Sequence, residues 1–186
     1  MGNIILLLLE TSFTILGAAF LARCWLHSIR FHPFNPFSQL IMRATDWLVK
    51  PLRSILPAPK NLDLASLVGA YIVAFVYSIA IWMVSMRAVM PLDIIAPALG
   101  TAAMTLCRWA LNLIIWLTLI QAVLSWVNPM APVMPVLRTL TAPMLEPIRR
   151  IMPNLGGVDL SPLVLLIMAQ VAIMVINQIS FTVFGM

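Results

Sequence analysis

"EPIRRIMPNLGGVDLSP", residues 146–162, stands directly before a long apolar run, and its punctuation decides the fold. It carries Pro147, Arg149, Arg150, Pro153, the pair Gly156–Gly157, Asp159 and the dipeptide Ser161–Pro162. An earlier stretch, "KPLRSILPAPKNLDLAS", residues 50–66, sets Pro51, Arg53, Pro57 and Asp63 at the same relative positions. Sliding the chain by 96 residues superposes Thr45 on Thr141, Pro51 on Pro147, Arg53 on Arg149, Pro57 on Pro153 and Asp63 on Asp159. Upstream, Asn35–Pro36 matches Asn128–Pro129 once a three-residue difference in loop length is allowed. A chain that repeats a basic, proline-punctuated phrase before two apolar runs is built from tandem units.

Composition names the solvent. Apolar residues make up 62% of the 186 positions and charged residues 9%, against about 25% charged in soluble domains. So few charges cannot cover a water-facing surface, and lipid must do the covering. Ile4–Ala22 contains only Glu10, while Leu64–Met86, Trp109–Val127 and Leu160–Met186 hold no formal charge. Each is long enough to cross about 30 Å of hydrocarbon at about 1.5 Å per residue. The expected fold is therefore all-α, with four transmembrane helices from two parallel repeats. The first repeat is assigned residues 1–90, with spans near 4–26 and 64–86 and an interfacial segment at 37–56. The second is assigned 91–186, with spans near 108–127 and 160–184 and an interfacial or re-entrant segment at 132–152. Pro97 and Gly100 break residues 94–107 away from the third span, as an outer interfacial piece.

Orientation follows from the cations. Residues 28–62 carry Arg30, Arg43, Lys50, Arg53 and Lys60, and residues 127–159 carry Arg138, Arg149 and Arg150. The positive-inside rule makes both segments cytoplasmic and both termini periplasmic. No Lys or Arg precedes the first apolar run, which implies an uncleaved span rather than a signal peptide. The formal charge of +5 is thus a topology signal, and no aromatic-basic reading surface for nucleic acid accompanies it. In the first connecting segment Leu40, Ile41, Ala44, Trp47, Leu48, Leu52 and Ile55 share one helical face, with Arg43, Asp46, Lys50 and Arg53 opposite. That pattern suits a helix lying at the headgroups. Pro135, Pro143 and Pro147 are expected to break the corresponding segment of the second unit, leaving a short helical piece at 148–152. Asp63 and Asp159 each lie ten residues after an Arg, so each carboxylate either folds back to pair with it or caps the next helix. Ser161 is a candidate N-cap with Pro162 at the first helical position.

These motifs, with "FNPFSQ" and "LSWVNP", resemble the YggT family of small integral membrane proteins. The resemblance covers both units. It implies a tandem architecture of proteobacterial type, with single-copy relatives in Gram-positive bacteria and plastids. It also implies association with osmotic and extracytoplasmic stress, with the cell-division neighbourhood, or with cytochrome haem attachment, and it transfers no catalytic residue. The family pattern sets an Arg shortly before a Trp at the end of each unit's first span. Here the first unit keeps Arg23 but has Ser28 for the Trp, and the second keeps Trp126 but has Gln121 for the Arg.

Polar groups inside apolar spans are functional candidates. Glu10, Arg108, Asn112, Gln170 and Asn177 form that set, with Glu10 and Arg108 expected as partners. They serve either as interhelical glue or as the lining of an ion path. His27, His32, Cys24 and Cys107 show no ligand spacing, so no metal, cofactor or disulfide is expected. No Ser/His/Asp set, phosphate loop or carboxylate pair appears either. The leading expectation is a non-enzymatic inner-membrane scaffold whose basic segments contact membrane lipids, an anionic lipid such as cardiolipin among them, and other membrane proteins. An oligomeric ion channel and a haem-attachment factor are the other readings.

Overall fold

The computed structural model describes residues 2–29, 36–57, 62–86, 91, 94–151 and 159–184. Asn35, Pro153, Gly156 and Gly157 of the expected motifs lie outside them. Six helices follow in order: α1 (Gly2–Ser28), α2 (Pro36–Ile55), α3 (Leu64–Met86), α4 (Ile95–Val127), α5 (Met134–Ile151) and α6 (Ser161–Phe184). No strand occurs among the described residues. Four of the helices, α1, α3, α4 and α6, are long and apolar enough to cross a membrane. Within their most apolar stretches only 11–22% of residues are buried inside the protein. A water-soluble bundle would hide such side chains, so this is a multi-pass membrane protein.

Two corrections to the expected boundaries have local causes. Residues 95–127 form one continuous helix of 33 residues, not an outer piece followed by a span. Pro97 falls in its first turn, where the missing N–H would have had no partner. Gly100 is a contact position rather than a break: a Cβ there would lie 2.3 Å from the Phe184 ring. At about 1.5 Å per residue α4 runs about 50 Å, well beyond the hydrocarbon thickness. Likewise α5 continues through Pro143 and Pro147 to Ile151. The two prolines are four residues apart and both exposed, so the forfeited hydrogen bonds fall on one outward stripe and leave the inner face intact.

The chain divides into two compact units, Met1–Trp109 with Asn177–Met186, and Ala110–Ile176. In the first, Phe20 is fully buried and its ring lies where a side chain on Gly69 would stand, which brings α1 against α3. The Phe20 ring meets Trp47 of α2 edge-on at 6.3 Å. Trp109 packs against Gly17, with Tyr77 at 5.6 Å from Trp109 and Phe13 at 5.6 Å from Tyr77. The Tyr71 hydroxyl donates to the Leu99 carbonyl at 2.9 Å. In the second unit Ala131, Met134 and Leu137 form a buried cluster closed by Leu117, Leu124 and Val133. Asn128 and Pro129 make the exposed turn that leads into it, where the Ala131 N–H donates to the Asn128 carbonyl at 3.1 Å.

Candidate functional site

Arg23, Asp46, Lys50, Arg53 and Asp63 gather where α1, α2 and the start of α3 meet. Arg23, only 7% exposed, is the centre. Its Nη1 donates to Thr45 Oγ1 at 2.7 Å, Asp46 Oδ1 at 2.8 Å and the Met42 carbonyl at 3.2 Å. Its Nε stands 3.9 Å from Asp63 Oδ2. Thr45 passes its own proton to the Ile41 carbonyl at 2.7 Å, which leaves the hydroxyl oxygen free to accept from Arg23. Asp46 also takes Lys50 at 2.9 Å, one helical turn on. A buried guanidinium is tolerable only when paired and hydrogen-bonded, and here α2 and the residue that precedes α3 supply the partners.

Asp63 both pairs and caps. Its Oδ2 accepts from Arg53 at 2.5 Å and from the Ser66 hydroxyl at 2.7 Å, while Oδ1 accepts the Ser66 N–H at 3.3 Å. Its carbonyl takes the first helical bond of α3, from Leu67 at 3.1 Å, so Asp63 is the N-cap. In the second unit Arg149 holds Asp159 Oδ2 through Nε and Nη2, each at 2.8 Å. Asp159 Oδ1 accepts the Ser161 N–H at 2.9 Å. The Leu160 carbonyl receives the first α6 bond, from Val164 at 3.2 Å. Ser161, expected as the cap, is therefore already inside the helix and buried, with Pro162 second, and Asp159 supplies the acceptor. Pro51 lies within α2, Pro57 just beyond its end, and Arg150 is exposed.

Where the first unit has Arg23 on Thr45, the second has Gln121 on Thr141: both are buried and their side chains meet directly. Asp46, which answers the Arg23 charge, corresponds to Ala142. Losing the cation and the acid together keeps the site neutral. It also removes side-chain volume, and a cavity of about 740 Å³ lies there. Arg138, Glu146 and Arg149 of α5 form its polar wall, with Ala142 between them. Leu119, Val123 and Trp126 of α4 face Leu163 and Leu166 of α6, and Leu160 just before it, across the apolar part.

The intramembrane set is only partly assembled. Arg108 donates to Thr105 Oγ1 at 2.8 Å and to Asn177 Oδ1 at 3.4 Å. Glu10 is exposed and forms no ion pair with Arg108. Gln170 is exposed and Asn112 half-buried. A second cavity, of about 330 Å³, is lined by Tyr77, Ser78, Ser85, Thr101, Thr105 and Arg108 among others. Among the described residues no three His, Cys, Asp or Glu side chains stand close enough to hold a metal.

Comparison with known proteins turns on the same two halves. The family model CCB3/YggT matches residues 2–91 and again 100–180. The chain belongs to this family. A Vibrio alginolyticus relative, named "Uncharacterized protein in proC 3'region", is 37% identical over 166 residues, covering 89% of each chain. An Escherichia coli relative, "Uncharacterized protein YggT", is 34% identical over 95% of this chain and 91% of its own. A Haemophilus influenzae protein is 32% identical over 77% and 75%. No solved structure matches.

Within this YggT-family chain the contact of Asp46 with Arg23 escaped the sequence reading, which placed Asp46 only on the polar face of the connecting segment with Arg43, Lys50 and Arg53. The signal was present: two positions change together between the halves, Arg23 to Gln121 and Asp46 to Ala142, around an unchanged Thr. The carboxylates also set the acid response. Burial raises the Asp63 carboxyl pKa, but Arg53 and Ser66 outweigh it and hold the group below its ordinary value. Asp159 is lowered too, with burial opposed by Ser161 and Arg149. A depressed folded-state pKa gives stability that is full above the unfolded value of about 3.9 and lost as pH falls through the folded one. Unfolding in detergent should therefore be insensitive to these groups near neutrality and sharpen below about pH 4. Asp63→Asn should remove much of that acid sensitivity. Asp159→Asn should remove little, because its ion pair is 42–43% exposed and exposed pairs contribute about 0–1 kcal/mol.

Proposed function

We propose that the protein is a non-enzymatic scaffold or assembly factor of the bacterial inner membrane, acting in extracytoplasmic or osmotic stress. In this reading both termini are periplasmic, and two tandem units each present a basic connecting helix to the cytoplasm. One observation carries it: each connecting helix is clipped to its following span by an Arg–Asp pair, while apolar and cationic side chains remain uncovered. On α2 the uncovered residues include Leu40, Trp47 and Ile55, with Arg43; on α5 they include Arg150. Trp47 and Ile55 suit the apolar edge of the headgroup layer, and the cations suit anionic lipid or an acidic partner surface. The separately matched segments 2–91 and 100–180 support the tandem reading.

The test is partner capture by tagged protein from stressed cells, repeated with the partner and this chain purified. Exchanging Arg43 and Arg150 for Ala should weaken that binding about tenfold while leaving thermal unfolding unchanged. Reproducible ion flux through the purified protein in liposomes, abolished by Glu10→Ala, would replace the scaffold with a channel.

A further inference from the structure

The cavity of the second unit is a site without an occupant assigned by anything above, and its lining is specific. We propose that it holds one phospholipid with an amine-bearing headgroup, of the phosphatidylethanolamine type. Three observations converge. The cavity lies at the C-terminal end of α4 and the N-terminal end of α6, both membrane-crossing helices, so it opens at a headgroup boundary. Its apolar walls, Leu119 and Val123 on one side and Leu163 and Leu166 on the other, run from that boundary toward the bilayer interior. Acyl chains are the apolar material present at that depth. Trp126, exposed at the mouth, suits the headgroup level, where indole rings concentrate.

The headgroup class follows from charge. The lining contains Arg138, Arg149, Glu146 and Asp159 and is neutral as a whole. Arg149 and Asp159 satisfy each other. Arg138 and Glu146 form no ion pair with any described residue, and each is exposed on the wall of the cavity. They stand eight residues apart on α5, about 12 Å along the axis, and both side chains are long enough to converge on one headgroup. A guanidinium recognises a phosphate through paired N–H donors, and a carboxylate accepts from a primary ammonium. An anionic headgroup would satisfy Arg138 and be repelled by Glu146. A zwitterion with N–H donors answers both. In the first unit the Arg23–Asp46 pair occupies the corresponding position.

The experiment reconstitutes the protein into nanodiscs of equimolar phosphatidylethanolamine, phosphatidylglycerol and phosphatidylcholine, extracts it in mild detergent and counts retained lipid by native mass spectrometry. Phosphatidylethanolamine should be retained about tenfold over the other two. Phosphatidylcholine should lose because its quaternary amine has no proton to give Glu146. Glu146→Gln, a change at an exposed side chain, should erase that preference and move retention toward phosphatidylglycerol, since the lining then carries a net positive charge. The pair Gln121→Arg with Ala142→Asp, which installs the first unit's ion pair, should reduce retention of all three lipids. Equal retention of the three lipids by the native protein would overturn the proposal, as would a phosphatidylethanolamine preference that survives Glu146→Gln. A polypeptide found in the groove in place of lipid would overturn it as well.

Discussion

Replacing Arg23 with Gln should destabilise the protein by about 3 kcal/mol, the lower end of what breaking a buried ion pair costs, and adding Asp46→Ala should restore part of that loss. The single change removes the guanidinium that Thr45, Asp46 and the Met42 carbonyl share. Lys50 still reaches Asp46, but it is 73% exposed and screens the carboxylate weakly. Asp63, almost wholly buried, loses its second cation and keeps Arg53. The double change reproduces the arrangement of Gln121, Thr141 and Ala142, a neutral set with no carboxylate to compensate. Recovery of no more than about 1 kcal/mol is expected, because Asp46 is 28% exposed and keeps Lys50. Detergent-resistant folding, followed by thermal or denaturant unfolding of the single and double variants, checks it. A double variant less stable than the single one would show that Asp46 serves the fold through Lys50 rather than Arg23.

Gly17→Val should be as damaging for the opposite reason. A Cβ at Gly17 would lie 2.1, 2.3 and 2.8 Å from three atoms of the Trp109 ring, deep inside any allowed contact. Trp109 is 4% exposed and backed by Tyr77, so it cannot swing aside. Overpacking of this kind costs about 1–3 kcal/mol, and with two added methyl groups the upper end is expected. Trp109→Leu in the same chain should recover much of it. Gly100→Ala is the comparison: its neighbour Phe184 is half-buried and ends α6, so the ring can give way and the loss should be smaller. Unfolding midpoints that rank the two glycines the other way would contradict this packing.

The spans were readable because hydropathy and charge change together at their ends. Leu64 follows Asp63 and Met86 precedes Arg87, so α3 shows its limits in the bare sequence. The same logic failed for α4 and α5. Pro97, Gly100, Pro143 and Pro147 interrupt helices only when their missing donor or missing side chain falls where the fold needs one. Here a first turn, a ring and an exposed stripe absorb all four. The Arg–Asp spacing of ten was visible from the repeated phrase, and pairing and capping proved to be one arrangement rather than competing ones. The Arg23 cluster was harder, because its contacts cross 19 residues of sequence or more and no local pattern encodes them. The cavity was not legible either, because its lining comes from α4, α5 and α6 at positions far apart in the chain.

Each Arg–Asp clip also works as a clasp around its own loop. The Arg53–Asp63 and Arg149–Asp159 pairs each join two helix ends across the residues between them. Lengthening a loop whose ends are already fastened costs only chain entropy, about 0.6 kcal/mol per doubling. These two loops are thus the places where evolution, or an engineer adding a fluorophore or epitope, can rewrite the chain without disturbing the helices on either side.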